Sequence, residues 1–213
     1  MVMSRQDLIS EMLSIQNTVN CNIDLNWKNK NREWYRASWI EAAEMADSLC
    51  YKWWKHQNED LNNARIEASD ILHFLLSSFI ECNITADIIE SHWKKSSQET
   101  ILTLIDRLVF NLLKVQFEGA SYIEVIECFS SICSKLNLSL EDLYICYISK
   151  ATLNNFRQNN GYKTGTYIKQ WGQCEDNVYL TEIIKDYLGG TEVPDNLQSV
   201  IYRKLQTIYD NIK

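Results

Sequence analysis

SWIEAAEMADSLCYKWWK, residues 38–55, and NNARIEASDILHF, residues 62–74, decide the fold. Apolar residues at i, i+3, i+4 and i+7 run through both, the signature of a helix with one buried face. The same period recurs over 5–20, 34–55, 61–82, 98–115, 120–135, 139–157, 177–188 and 196–212, and strict alternation is found nowhere. An all-α fold is therefore expected, with a four-helix core and additional helices. Ser4 with Asp7, Ser139 with Asp142, and Pro194-Asp195 mark helix starts, and Gly189-Gly190 marks a helix end. The long irregular stretches left over are 21–33 and 158–176, and a loop of that length in a compact domain usually has a function.

A chain of 213 residues, 46% hydrophobic and 23% charged, can bury its own core without staples. The expected organisation is one catalytic domain over 1–213, with a movable lobe around 83–135 and a flexible loop over 158–176. A net charge of -7 argues against a general nucleic-acid binder or a protein drawn to an anionic membrane. The most apolar run, residues 71–80, is about half the ~20 residues that a bilayer crossing needs. MVMSRQDLISEML at the N-terminus lacks the pattern of a secretory leader. Seven cysteines without a Cys-x-x-Cys pair, mostly within apolar helical patterns, read as reduced core thiols of a cytoplasmic protein.

Four carboxylates stand out. Glu41 and Glu44 are three apart on one expected helix, and Glu67 and Asp70 are three apart on another, so each pair shares a face. A lone Glu-x-x-Glu is most often a pair of solvated charges. Here Trp39, Ile40, Ala42, Ala43 and Met45 surround one pair, and Ile66, Ala68, Ile71 and Leu72 the other, which leaves few polar neighbours for a wet face. If the two helices pack antiparallel the pairs converge, and like charges about 5 Å apart repel by ~3 kcal/mol at an effective dielectric near 20. A divalent cation removes that cost; all-carboxylate ligation suits Mg2+ or Mn2+ beside substrate phosphates. A di-iron site would need two Glu-x-x-His spacings, and only Asp70 with His73 comes near one.

FRQNNGYKTGTYIKQWGQCEDN, residues 156–177, supplies the opposite charge. Lys150, Asn154 and Arg157 fall on one face of a helix end, Lys163 and Lys169 follow on the loop, and Gly161 and Gly165 let backbone approach a ligand. Such a cluster suits a triphosphate, an Arg offering a fork and a Lys a point charge. The counter-charge for this clamp is expected in the acidic pairs upstream.

LSIQNTVN at 13–20, EAAEMADSLCYKWWK at 41–55, EASDILHF at 67–74, KATLNNFRQNNGYKTGTYIKQW at 150–171 and EDN at 175–177 follow one another in an order that resembles the all-α dimeric dUTPases, within the all-α nucleoside triphosphate pyrophosphatases. Residues 83–135 carry no matching motif. The resemblance implies a homodimer that hydrolyses dUTP, and dUDP too, with Glu41, Glu44, Glu67 and Asp70 holding two or three Mg2+ ions. Glu41 or Glu44 would activate the water. Lys150, Arg157 and Lys169 would contact phosphates, Gln16 and Asn20 would read the uracil edge, and Phe74 would pack on the deoxyribose. Asn154, Trp54 and Asn177 would complete the pocket. Two alternatives stand beside this reading: a pyrophosphatase for another nucleotide such as dCTP, and a non-catalytic helical interaction module.

Overall fold

The computed structural model describes residues 3–93, 97–189 and 196–212. Nine helices make up the described fold: α1 (Arg5–Ile23), α2 (Trp34–Ser48), α3 (Leu61–Glu81), α4 (Ala86–Ser91), α5 (Ile101–Glu118), α6 (Ile123–Lys135), α7 (Leu140–Asn159), α8 (Asp176–Ile184) and α9 (Leu197–Asp210). Two residue pairs, β1 (Gln170–Trp171) and β2 (Cys174–Glu175), form an antiparallel hairpin turned by Gly172 at φ 63°. No described helix is long and apolar enough to cross a membrane.

Helices α3 and α7 are buried on almost every side, which makes them the centre. α3 packs against α1, α2 and α7, and α7 against α1, α3, α8 and α9, while α5 and α6 pair together and reach the bundle through α2. Buried side chains from α1 to α9 join in one hydrophobic cluster. Each central helix starts on an anchored cap: Asp60 accepts from the Asn63 N–H at 2.9 Å, and Ser139 from the Asp142 N–H at 3.0 Å. Ser4 and Asp7 form the expected reciprocal box at the start of α1.

The helix expected over 34–55 stops at Ser48. Cys50 turns to φ 61°, and the Gln57 side chain then takes the place of the next helical turn. Its amide donates to the Asp47 carbonyl at 3.1 Å and its oxygen accepts from the Lys52 N–H at 3.0 Å. α4 and the hairpin were not expected, since six residues and two pairs of residues are too short to show a period. Only Cys128, Cys133 and Cys146 of the seven free thiols are core residues; Cys82 and Cys174 are exposed, which corrects the expectation of mostly buried cysteines. Gly189 lies five residues past α8, at φ 74°, whereas Gly190, Pro194 and Asp195 lie outside the described residues.

Candidate active site

Helices α2 and α3 bring Glu41, Glu67 and Asp70 together, with one carboxylate oxygen of each within 4.8 Å of the others. Glu44 projects outward beside them and is exposed, yet its charge still reaches Glu41, Glu67 and Asp70. Three of the four expected carboxylates thus form the cluster and the fourth flanks it.

The cluster is short of positive charge. Burial, then the Asp70 and Glu44 charges, push the Glu41 carboxyl up to about 7. Glu67, 6% exposed, is pushed up to about 8 by burial and then by Asp70. Asp70 is raised as well: burial outweighs the Lys150 ammonium 2.6 Å away, the one cation paired with it among the described residues. Asn63 Nδ2 donates to Glu67 Oε1 at 2.9 Å and fixes that side chain. Converging oxygens with too little counter-charge fit a divalent cation bound through Glu41, Glu67 and Asp70, and no described sulfur or histidine nitrogen joins them to favour a softer metal.

This electrostatics sets a pH dependence. Both Glu carboxyls bind protons more tightly in the folded chain than at their ordinary 4.5, so without metal the fold loses stability as pH rises from about 4.5 through 8. A cation bound there would replace those protons. The gain in Tm on adding Mg2+ is therefore expected to grow between pH 5 and 8, measured by thermal unfolding in chelator and in Mg2+; a gain independent of pH would contradict it.

Beyond Asp70 the polar side chains continue as a chain. Lys150 Nζ also donates to Asn177 Oδ1 at 3.2 Å, the same oxygen accepts from Arg157 Nη2 at 3.2 Å, and Arg157 Nη1 donates to Asn154 Oδ1 at 3.1 Å. Arg157 then grips Asp176 with two bonds of 2.8 Å, Nε to Oδ2 and Nη2 to Oδ1. Asp176 is fully buried and takes a third bond from the Tyr167 hydroxyl at 2.7 Å. Lys169 pairs with Glu175 at 2.7 Å on the half-exposed hairpin. In direct contact, the clamp finds its counter-charge upstream only at Lys150 among the described residues; the Glu175-Asp176 pair meets Lys169 and Arg157 locally, and the Asp70 charge acts on Arg157 only from a distance.

The loop is also pinned. Trp171 is fully buried against Phe156 and Tyr209, and its indole N–H donates to the Ile168 carbonyl at 2.9 Å. The turn around Tyr162 and Lys163 is exposed, and Gly161 at φ 93° there occupies a space that a Cβ would share with Thr166 Oγ1 at 2.0 Å.

Gln16 and Asn20 lie on the buried side of α1, 4% and 3% exposed, bonded to each other at 3.1 Å and to α3. Phe74 is half-buried and stacks on Trp34 at 6.4 Å. Trp54, expected on a helix, sits instead on the turn after α2, more than half exposed, edge-on to Tyr51 and Trp53. A surface cleft of about 490 Å3 lies between the N-terminus of α7 and Arg5, away from the clustered carboxylates.

A family model described as dUTPase matches residues 8–162, spanning both carboxylate helices and α7. The chain belongs to the all-α dUTPase family. Its reaction is accordingly the hydrolysis of dUTP, a nucleotide, and the matched range includes 83–135, where no motif was legible. Among curated proteins nothing matches the chain. The match ends before Lys169, Asp176 and Asn177; the contacts above tie Asp176 and Asn177 to Arg157 and Lys150, whereas the Lys169 side chain meets only Glu175 among the described contacts. Asp176 and Tyr167 were missed by sequence reasoning; the abrupt Glu-Asp pair after three spaced cations was the available signal.

Proposed function

We propose that this dUTPase is Mg2+-dependent, converts dUTP to dUMP and pyrophosphate and dUDP to dUMP and phosphate, and works as a cytoplasmic homodimer. The observation that carries the reading is the three-carboxylate cluster joined through Lys150, Asn177 and Arg157 to the loop. Glu41, Glu44, Glu67 and Asp70 would hold two or three Mg2+ ions, or Mn2+, which when bound neutralise phosphate charge and acidify water. Glu44, exposed beside the cluster, is the carboxylate best placed to take the proton of the attacking water, with Glu41 the second choice.

Lys150 and Arg157, held in fixed positions, would meet the charge that develops on the phosphate chain without having to reorganise. Lys169, half-exposed on its hairpin, would swing from Glu175 to phosphate as the turn around Lys163 closes. Gln16 and Asn20 would meet the uracil, with Phe74 on the deoxyribose and Trp54, Asn154 and Asn177 around the rest of the pocket. Dimer formation is supported by α5, which exposes Phe110 (61%) and Phe117 (70%) seven residues apart on one face. Free thiols in all seven cysteines support the reducing compartment.

A panel of dUTP, dUDP, dCTP and dTTP, assayed for product release with Mg2+ and with chelator, tests this. Turnover of dUTP and dUDP above dCTP, lost in chelator, is expected; equal turnover of dCTP, or metal-independent turnover, would overturn it.

A further inference from the structure

Four side-chain groups between α1 and α3 close into a ring. Gln16 Nε2 donates to Asn20 Oδ1 at 3.1 Å, Asn20 Nδ2 to Ser77 Oγ at 2.9 Å, and Ser77 Oγ to the His73 carbonyl at 2.9 Å. His73 Nδ1 returns to Gln16 Oε1 at 2.8 Å. All four residues are buried. The direction around the ring is forced at one point, because a backbone carbonyl can only accept. Ser77 therefore spends its single hydrogen on His73, must accept from Asn20, and so holds the Asn20 nitrogen toward itself and the Asn20 oxygen toward Gln16. Gln16 in turn must donate to Asn20 and accept from His73, which puts the ring proton on Nδ1 and leaves Nε2 bare.

Tyr147 adds to the lock: its hydroxyl lies 3.1 Å from both Gln16 Oε1 and the Met12 carbonyl, so its one hydrogen is shared between two acceptors. Burial, with the Lys150 charge adding to it, lowers His73 to about 3, so the ring stays neutral across the working pH range. His73 Nε2 has no partner among the described residues.

What the ring leaves over is a fixed pattern. Each amide nitrogen makes one of its two possible hydrogen bonds within the described residues, and Asn20 Oδ1 keeps one lone pair. Gln16 thus offers a donor, and Asn20 an acceptor and a donor. Uracil presents acceptor, donor, acceptor along O4, N3–H and O2; cytosine presents donor, acceptor, acceptor. A free amide could flip to suit either base.

We infer that Ser77 and His73 are positioning residues for base choice: by fixing the direction of the ring they hold Gln16 and Asn20 in the polarity that accepts uracil and rejects cytosine. This rests on the proposed contact of Gln16 and Asn20 with the base. It also implies that the ring does nothing against thymine, whose edge is the same as uracil's.

Ser77→Ala is the test, read as ratios of kcat/KM within one preparation so that folded fraction cancels. The preference for dUTP over dCTP is expected to fall about tenfold or more, since discrimination by fixed hydrogen-bonding groups is large. The preference for dUTP over dTTP is expected to stay constant, and Ser77→Thr, which restores the hydroxyl, to recover the parent ratio. Should Ser77→Ala lower all three nucleotides in proportion, the ring is structural only and the inference fails. Asn20→Ala separates this from failure of the underlying reading: if it too leaves the dUTP to dCTP ratio of the parent, the base contact itself is wrong.

Discussion

Glu67→Gln is expected to lower turnover of dUTP by ~10^3-fold or more while leaving the metal-free protein at least as stable as its parent. The two halves of this outcome come from one cause. Glu67 is the most deeply buried of the three converging carboxylates and holds its proton up to about pH 8, so ionising it in the empty cluster is unfavourable. An amide of the same shape removes that penalty. Its oxygen can still accept from Asn63 Nδ2, now 2.9 Å away, and its nitrogen can donate to Glu41, with which Glu67 already shares a hydrogen bond. Cation binding needs the charge that the amide lacks. Asp70→Asn would be a less clean probe, because it strips the carboxylate from Lys150, itself 5% exposed, and adds the cost of a buried unpaired ammonium. Steady-state kinetics in Mg2+ and thermal unfolding in chelator at pH 8 read both halves. Retained turnover would remove Glu67 from the reaction, and a large loss of stability would mean that the cluster is held together by something other than bound cations.

The acidic half of the site was legible because spacing on a helix is local information: residues three apart share a face wherever the helix lies, and Glu41, Glu67 and Asp70 met as that geometry implies. Where the reading went astray, the deciding partner was distant or made by a turn. The end of α2 depends on Gln57, nine residues beyond Ser48, folding back to bond Asp47, and nothing in the apolar period of 38–55 announces it. Arg157 was matched to the upstream acidic pairs because the residue that neutralises it, the first of α8, directly follows a hairpin of two-residue strands, which has no periodicity to find. Gln16 and Asn20 were placed correctly on one helix face, but their orientation is decided by Ser77 and His73, 57 residues away along the chain in each contact.

Asp176→Ala is expected to cost 3–5 kcal/mol, roughly 6–20 °C in Tm for a chain of this size, the largest stability loss of any single change in the site. Arg157 is 9% exposed and would be left charged with its two strongest bonds gone, while the Tyr167 hydroxyl would lose its acceptor. Asp176 also opens α8, where a carboxylate is favoured by the helix dipole, and its backbone N–H donates to the Lys169 carbonyl at 3.1 Å, so the same residue ties the far end of the loop to α7. Activity would fall further than stability, since an Arg157 no longer held by Asp176 cannot keep Asn177 between itself and Lys150. The double variant Arg157→Met with Asp176→Leu separates the two effects: replacing a buried ion pair by packed apolar groups often restores stability, so it should regain most of the Tm and none of the turnover. If the double variant were active, Arg157 would be no more than a strut for the loop, and the phosphate chain would have to be met by Lys150 and Lys169 alone.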